Sequence, residues 1–279
     1  MPNLHSHAFQ RGMAGLAEIG GPDQDTFWTW RETMYRLALA LSPDDVQAVA
    51  ALAYVEMLEA GFSPGRRVPL PARRSRRSSL SRPAEMAGRI IAAAGETGIG
   101  LTLLPVFYAY GGFGGQSPAP SQRRFISDPD AFGHLIEASR RKALAHPGTV
   151  IGVAPHSLRA ITPQELAAIL PLAGDGPIHI HAAEQLREVD DCLAWSGRRP
   201  VEWLLEQAAA DSRWCFVHAT HMTPGPLTTA FKISGVGVWH GGAQDAMYRP
   251  VGSIMRLRSV RAASFVCRLD PAVGPLRAE

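Results

Sequence analysis

Two imidazoles two residues apart, His5 and His7 in Asn3-Leu4-His5-Ser6-His7, are the side chains best placed to do chemistry. In an extended strand, residues i and i+2 face the same side, so both rings can reach one metal ion from a single strand end. A lone His-x-His is weak, because ordinary surface histidines also produce it. Three more histidine-bearing segments follow, each at the end of an expected strand: residues 151–156, 177–184 and 213–218. His181 ends a short apolar run and is the next candidate at such a position. Glu184 then falls in the first loop turn, where a carboxylate can take and return protons beside a metal-activated water. His218, closing Trp214-Cys215-Phe216-Val217, reads as a ligand or as an acid that polarises substrate. His179 is expected to be a core or hydrogen-bonded histidine, His221 a loop residue, and His134, His146 and His240 surface groups. Arg159, three residues after His156, either clamps a carboxylate with its planar fork or is simply solvated.

These side chains need a scaffold that gathers strand ends. Ser42-Pro43-Asp44-Asp45 starts a helix with a serine cap, a proline at the first position and acids suited to the helix dipole. Further helices are expected over 83–98, over 128–145, from the capping box Thr162-Pro163-Gln164-Glu165, and over 200–209. Strands are expected over 101–107, 149–154, 178–181 and 214–218, with a glycine-rich loop at 108–115. Alternating strands and helices imply a parallel sheet, open or closed into a barrel. In a (β/α)₈ barrel the chemistry gathers at the carboxyl ends of the strands. His5, His7, His156, His181 and His218 all fall at such ends, which favours an α/β TIM barrel.

The chain has 279 residues, 46% hydrophobic and 19% charged, enough for one large α/β domain or two small ones. Its net charge of +3 is local: seven arginines and no acid lie between Arg66 and Arg82. Without those seven, 21 basic residues face 25 acidic ones. Cys192, Cys215 and Cys267 form no disulfide framework or Cys-x-x-Cys motif, which suits a reducing compartment. No signal-peptide pattern or membrane-length apolar run is present, so a cytoplasmic protein with no membrane partner is expected.

Four segments together resemble the formimidoylglutamate deiminases, amidohydrolase-superfamily enzymes of histidine breakdown. They are residues 1–18, Phe27-Trp28-Thr29-Trp30-Arg31-Glu32-Thr33-Met34-Tyr35, His179-Ile180-His181-Ala182-Ala183-Glu184-Gln185 and Val217-His218-Ala219-Thr220-His221-Met222-Thr223. The resemblance covers residues 1–62 and 83–234. It implies a (β/α)₈ barrel with a small β-sandwich built from the chain ends, one Zn²⁺ ion, and hydrolysis of N-formimino-L-glutamate to N-formyl-L-glutamate and ammonia. It implies His5, His7 and His181 as metal ligands, Glu184 as proton shuttle and His218 beside the reacting carbon. Gln10, Arg31, His156 and Arg159 match positions that contact substrate, and two arginines suit a ligand with two carboxylates. Members are commonly homodimers.

Three departures follow. The family has several dozen residues ahead of its first His-x-His, so most of the sandwich is expected to be missing. Residues 63–82 carry arginines and prolines that suit no barrel strand. One allowed codon choice for Arg66-Arg67-Val68-Pro69-Leu70-Pro71, read one base later, gives Gly-Glu-Phe-His-Tyr-Leu, as a compensated frameshift would. Leu70 then stands where the family has a substrate-contacting tyrosine. Beyond about residue 235 the resemblance stops, and Asp270 has no matching context for the aspartate that completes the metal site. Residues 1–234 are thus expected to form an incomplete barrel, 235–279 an atypical tail, and activity to be impaired. The alternatives are another deaminase of the superfamily, or a non-enzymatic module that binds nucleic acid through the arginine run; the preferred reading has a small-molecule substrate and no nucleic-acid partner.

Overall fold

The computed structural model describes residues 3–16, 27–62, 65–67, 84–223 and 237–239, with backbone alone at 27–29, 65–67 and 237–239. Helices begin where side chains can satisfy their first amides. Ser42 Oγ accepts the Asp45 N–H at 3.2 Å while Asp45 accepts the Ser42 N–H at 2.8 Å, opening a helix over Pro43–Glu59. This is α2; α1 precedes it over Phe27–Ala40, and α3 covers Glu85–Thr97. Asp128 caps α4 (Pro129–Ala143), and Thr162 with Glu165 closes a capping box over α5 (Pro163–Ile169). Helices α6 (Leu186–Ser196) and α7 (Pro200–Gln207) complete the set described. Buried Arg124 anchors the end of α1, donating to the carbonyls of Ala38 and Leu41, groups near a helix end that lack helical donors.

Eight short strands alternate with these helices: β1 (Gly65–Arg67), β2 (Leu101–Leu103), β3 (Val106–Phe107), β4 (Thr149–Ile151), β5 (Ala154–Pro155), β6 (Ile178–Ala182), β7 (Trp214–His218) and β8 (Gly237–Trp239). All pair in parallel, in the sets β1-β2-β4, β3-β5 and β6-β7-β8. β3 prolongs the path of β2, and β5 that of β4, while a parallel bridge from Val153 to Ile178 carries the series on to β6. The strand positions therefore follow chain order, each parallel to the one before. A doubly wound open sheet reverses its order at a switch point, and the described strands show no such reversal. Every residue of β6 and β7 is buried, as expected of parallel strands covered on both faces.

Close approach at Gly152 sets the spacing between these paths. A Cβ there would stand 2.2 Å from the Pro177 carbonyl oxygen and 2.6 Å from the Leu104 side chain. Because backbone cannot move aside, Gly152→Ala is expected to destabilise the chain by about 3 kcal/mol, the upper end of overpacking costs. Denaturant unfolding measures it, and a loss below about 1 kcal/mol would mean the strands are not held this closely.

The structure departs from the sequence expectations in four places. His5 and His7 belong to no named strand: residues 3–6 are irregular, His7 makes a single β-bridge, and a 3₁₀ helix over Ala8–Met13 follows. The His5 N–H donates to Asn3 Oδ1 at 3.1 Å, a local bond that competes with sheet pairing. The runs expected as single strands over 101–107 and 149–154 are each split in two, with Pro105, which has no N–H to donate, inside the first break. Gly65–Arg67, inside the stretch judged unfit for a barrel strand, pairs with β2, since parallel pairing asks only for main-chain groups. Gly237–Trp239, in the expected atypical tail, likewise pairs with β7. Leu70, His240, Cys267 and Asp270 lie outside the described residues. No helix among the described residues is long and apolar enough to cross a membrane.

Candidate metal centre

Three imidazole nitrogens converge. His5 Nε2, His7 Nε2 and His181 Nε2 stand 3.2 Å from one another in every pairing. Two imidazole nitrogens at zinc distances of about 2.0–2.1 Å and a tetrahedral angle are ~3.4 Å apart, so the triangle has the size one ion needs. His181 Nδ1 lies 2.8 Å from the His156 carbonyl oxygen. A carbonyl only accepts, so Nδ1 carries the ring proton and Nε2 presents its lone pair to the other two rings. His5 Nδ1 lies 3.2 Å from His179 Nδ1, with the rings 16° from parallel. Burial lowers the pKa of His5 and of His181 well below the usual 6.5, and neighbouring histidines lower both further. Burial, then His218, brings His7 down to about 4. Neutral imidazole is the zinc-binding form. Among the described residues, no carboxylate or thiol joins this trio.

The ends of β6 and β7 bring up a second pair. Ala183, His218 and Ala219 take left-handed backbone angles, with φ of 52°, 68° and 48°. Such positions cost about 1–3 kcal/mol each and persist only where surroundings enforce them. Here Ala219 N–H donates to Ala182 O at 2.9 Å, His221 N–H to Ala183 O at 3.1 Å, and Glu184 N–H to the buried Glu188 carboxylate at 3.2 Å. His218 Nε2 consequently lies 3.5 Å from Glu184 Oε1, and the His218 ring stacks on His181 at 5.4 Å. His156, just past β5, also packs on His181, with ring centroids 4.9 Å apart and its Nδ1 3.1 Å from Ser157 Oγ. Burial above all, then Arg159 and Arg31, keeps its pKa well below the usual value.

Two guanidinium groups, Arg159 and Arg31, act on His156 from nearby. Arg159 is 9% exposed, and its Nε has no hydrogen-bond partner among the described residues. Burial opposes its charge, but Glu188, Tyr108 and Glu184 outweigh that and leave its pKa raised. Arg31, on α1, donates through Nε to the Tyr35 hydroxyl at 2.7 Å and through Nη2 to the Tyr108 hydroxyl at 3.1 Å. Gln10 sits in the 3₁₀ helix after His7, its amide 3.8 Å from Met34 Sδ. His134 is exposed, while His146 and His221 are half-buried.

Sequence reasoning missed Tyr35, Tyr108, Gln122 and Glu188. Tyr35 stands four residues after Arg31, on the same helix face, a spacing that could have marked it. Tyr108 directly follows a strand, the position that singled out the histidines. Gln122 comes from a distant turn and gave no signal.

Residues 2–259 match the model of the amidohydrolase family, a match that runs past the expected limit near 235. The chain is 49% identical over 237 residues to formimidoylglutamate deiminase of Pseudomonas aeruginosa, covering 85% of this chain and 52% of that protein. A crystal structure of an amidohydrolase from Brucella melitensis superposes with a TM-score of 0.84 at 50% identity, over 88% of this chain and 55% of that one. An adenosine deaminase from Xanthomonas campestris, solved with bound zinc, shares the fold at 20% identity and a TM-score of 0.65, over 85% of this chain and 48% of its own. The chain spans about half the length of the curated relatives it matches. Parallel strands in chain order, a histidine trio of metal-binding size beside the end of β6 and the match over residues 2–259 all agree that this chain belongs to the amidohydrolase family, whose fold is of the TIM-barrel type.

Proposed function

We propose that this site carries out metal-dependent hydrolytic deimination of N-formimino-L-glutamate, yielding N-formyl-L-glutamate and ammonia. The observation that carries the reading is the adjacency of three converging neutral imidazoles and a buried, anion-seeking cation, Arg159, joined through His156. The substrate offers one group for each: an imino carbon open to water, and carboxylates. The 49% identity to a formimidoylglutamate deiminase supports the same assignment.

His5, His7 and His181 would hold one zinc ion, which supplies Lewis acidity able to acidify water at neutral pH. Glu184 takes the proton from the attacking water as its oxygen bonds to the formimino carbon. That proton goes on to the terminal nitrogen; Glu184 then takes the hydroxyl proton of the tetrahedral adduct and passes it to the same nitrogen, so that the carbon–nitrogen bond breaks and ammonia leaves as the formyl carbonyl forms. His218, within reach of Glu184, polarises the imino group, and the buried strand ends limit competing water. Arg31 and Arg159 hold carboxylates, with Gln10 and His156 lining the pocket.

The test is zinc-dependent ammonia release from N-formimino-L-glutamate. We expect slow turnover, because no carboxylate among the described residues completes the trio. Glu184→Gln should reduce it by a further ~10²–10⁴-fold at unchanged zinc content. Equal turnover of formamidine, which has no carboxylates, would remove the substrate assignment and leave the metal centre standing. Preferential turnover of adenosine would favour another deaminase of the family.

A further inference from the structure

The two tyrosines beside Arg31 form a closed hydrogen-bond account with one proton left over. Gln122, only 4% exposed, is fixed by the Ala119 N–H, which donates to its Oε1 at 2.7 Å. Its Nε2 donates to the Tyr108 hydroxyl at 2.6 Å. Arg31 Nη2 donates to the same oxygen. Both lone pairs of the Tyr108 oxygen are then occupied, so its own proton must go outward, and the Tyr35 hydroxyl is a neighbour that acts on it. The Tyr35 oxygen accepts from Arg31 Nε at 2.7 Å. Gln122 Nε2 also approaches Tyr35 from 3.4 Å, so every other group in the cluster faces it as a donor. The Tyr35 proton has no acceptor among the described residues, although Tyr35 is buried.

A buried donor without an acceptor is costly, and native proteins rarely keep one without a purpose. What would satisfy it is an anion with oxygens to offer, and Arg159 lies within electrostatic reach of both tyrosines. We propose that Tyr35 donates its hydroxyl proton to a substrate carboxylate, and that Tyr108 and Gln122 are positioning residues that force this polarity on it while holding the Arg31 guanidinium in register. The inference rests on the carboxylate-bearing substrate proposed above, and it specifies which neutral donor reads the carboxylate. The ligand class is a short dicarboxylate. One carboxylate meets the Arg31–Tyr35 pair and the other is left to Arg159.

The test is calorimetric binding of glutarate and of butyrate, its monocarboxylate counterpart, to the zinc-loaded 279-residue chain. Tyr35→Phe removes the proton and one acceptor of Arg31, and should weaken glutarate about tenfold, the worth of a hydrogen bond to a charged group. Zinc stoichiometry should not change. Gln122→Glu preserves shape and the Ala119 bond but replaces the donor by an acceptor, drawing the tyrosine protons away from the ligand; it should weaken glutarate comparably. In an Arg31→Met background, Tyr35→Phe should cost much less than in the wild-type chain, because the two act on one carboxylate. Glutarate affinity unchanged by both single substitutions overturns the inference, while the substrate class survives. Equal losses for glutarate and butyrate together with lost zinc mark the cluster as structural and also overturn it. A wild-type chain that binds zinc but no glutarate removes the substrate reading, and this inference with it.

Discussion

His181→Ala should abolish stoichiometric zinc binding by the chain. Its Nε2 lone pair is one corner of the 3.2 Å triangle, and its tautomer is dictated by the His156 carbonyl, so no rotation or proton shift of a neighbour can replace it. Two imidazoles alone leave zinc mostly to solvent. The loss should greatly exceed the roughly 10–100-fold that removal of an outer hydrogen-bond partner costs. His179→Ala supplies that smaller reference. If His5 binds through Nε2, its Nδ1 carries the proton and donates it to His179, so deleting His179 loosens the ring without removing a ligand. Competition with a chromophoric chelator measures both affinities. A His181→Ala chain that keeps one zinc within tenfold of wild-type affinity would place the ion elsewhere.

The histidine motifs were legible because strand ends obey a simple rule: side chains at the carboxyl edge of a parallel sheet face a common space. His181 and His218 follow that rule. His5 and His7 meet the same point without a named strand of their own, so the i, i+2 argument picked out two rings that converge, by an incomplete route. Helix starts at Ser42, Asp128 and Thr162 were readable because capping is local, needing only three residues of context. The tyrosine–glutamine cluster beside Arg31 was not. Tyr35, Tyr108 and Gln122 are brought together from sequence separations of 14 and 87 residues, and nothing local marks a hydroxyl whose oxygen is saturated by donors from elsewhere. Left-handed backbone at His218 and Ala219 was equally silent, because it is imposed by the bonds tying β6 to β7 and not preferred by the residues themselves.

The metal-free chain should lose stability steeply as pH falls below 6.5. His5, His7, His156 and His181 all have folded pKa values depressed chiefly by burial, well below 6.5 for three of them and at about 4 for His7. In the unfolded chain the same rings titrate near 6.5. Between those limits the unfolded state binds more protons than the folded one, so stability rises with pH. It is fully present above 6.5, and acid removes it progressively as pH drops toward the folded values. A ring that stays neutral in the folded state while it titrates in the unfolded one contributes a slope of at most about 1.4 kcal/mol per pH unit. Against a typical total of roughly 5–15 kcal/mol, several such rings acting in the same direction make mild acid strongly destabilising. Urea midpoints measured across this range in the presence of a chelator should shift accordingly. Added zinc, which binds the folded neutral rings, should move the transition to lower pH by mass action. His156→Phe, which keeps an aromatic ring against His181 and all three converging nitrogens but removes one titrating group, should make the dependence shallower by up to about one proton. A midpoint flat from pH 7 to 5 would mean that the rings accept protons freely in the folded state, which the enclosed geometry of the trio does not allow.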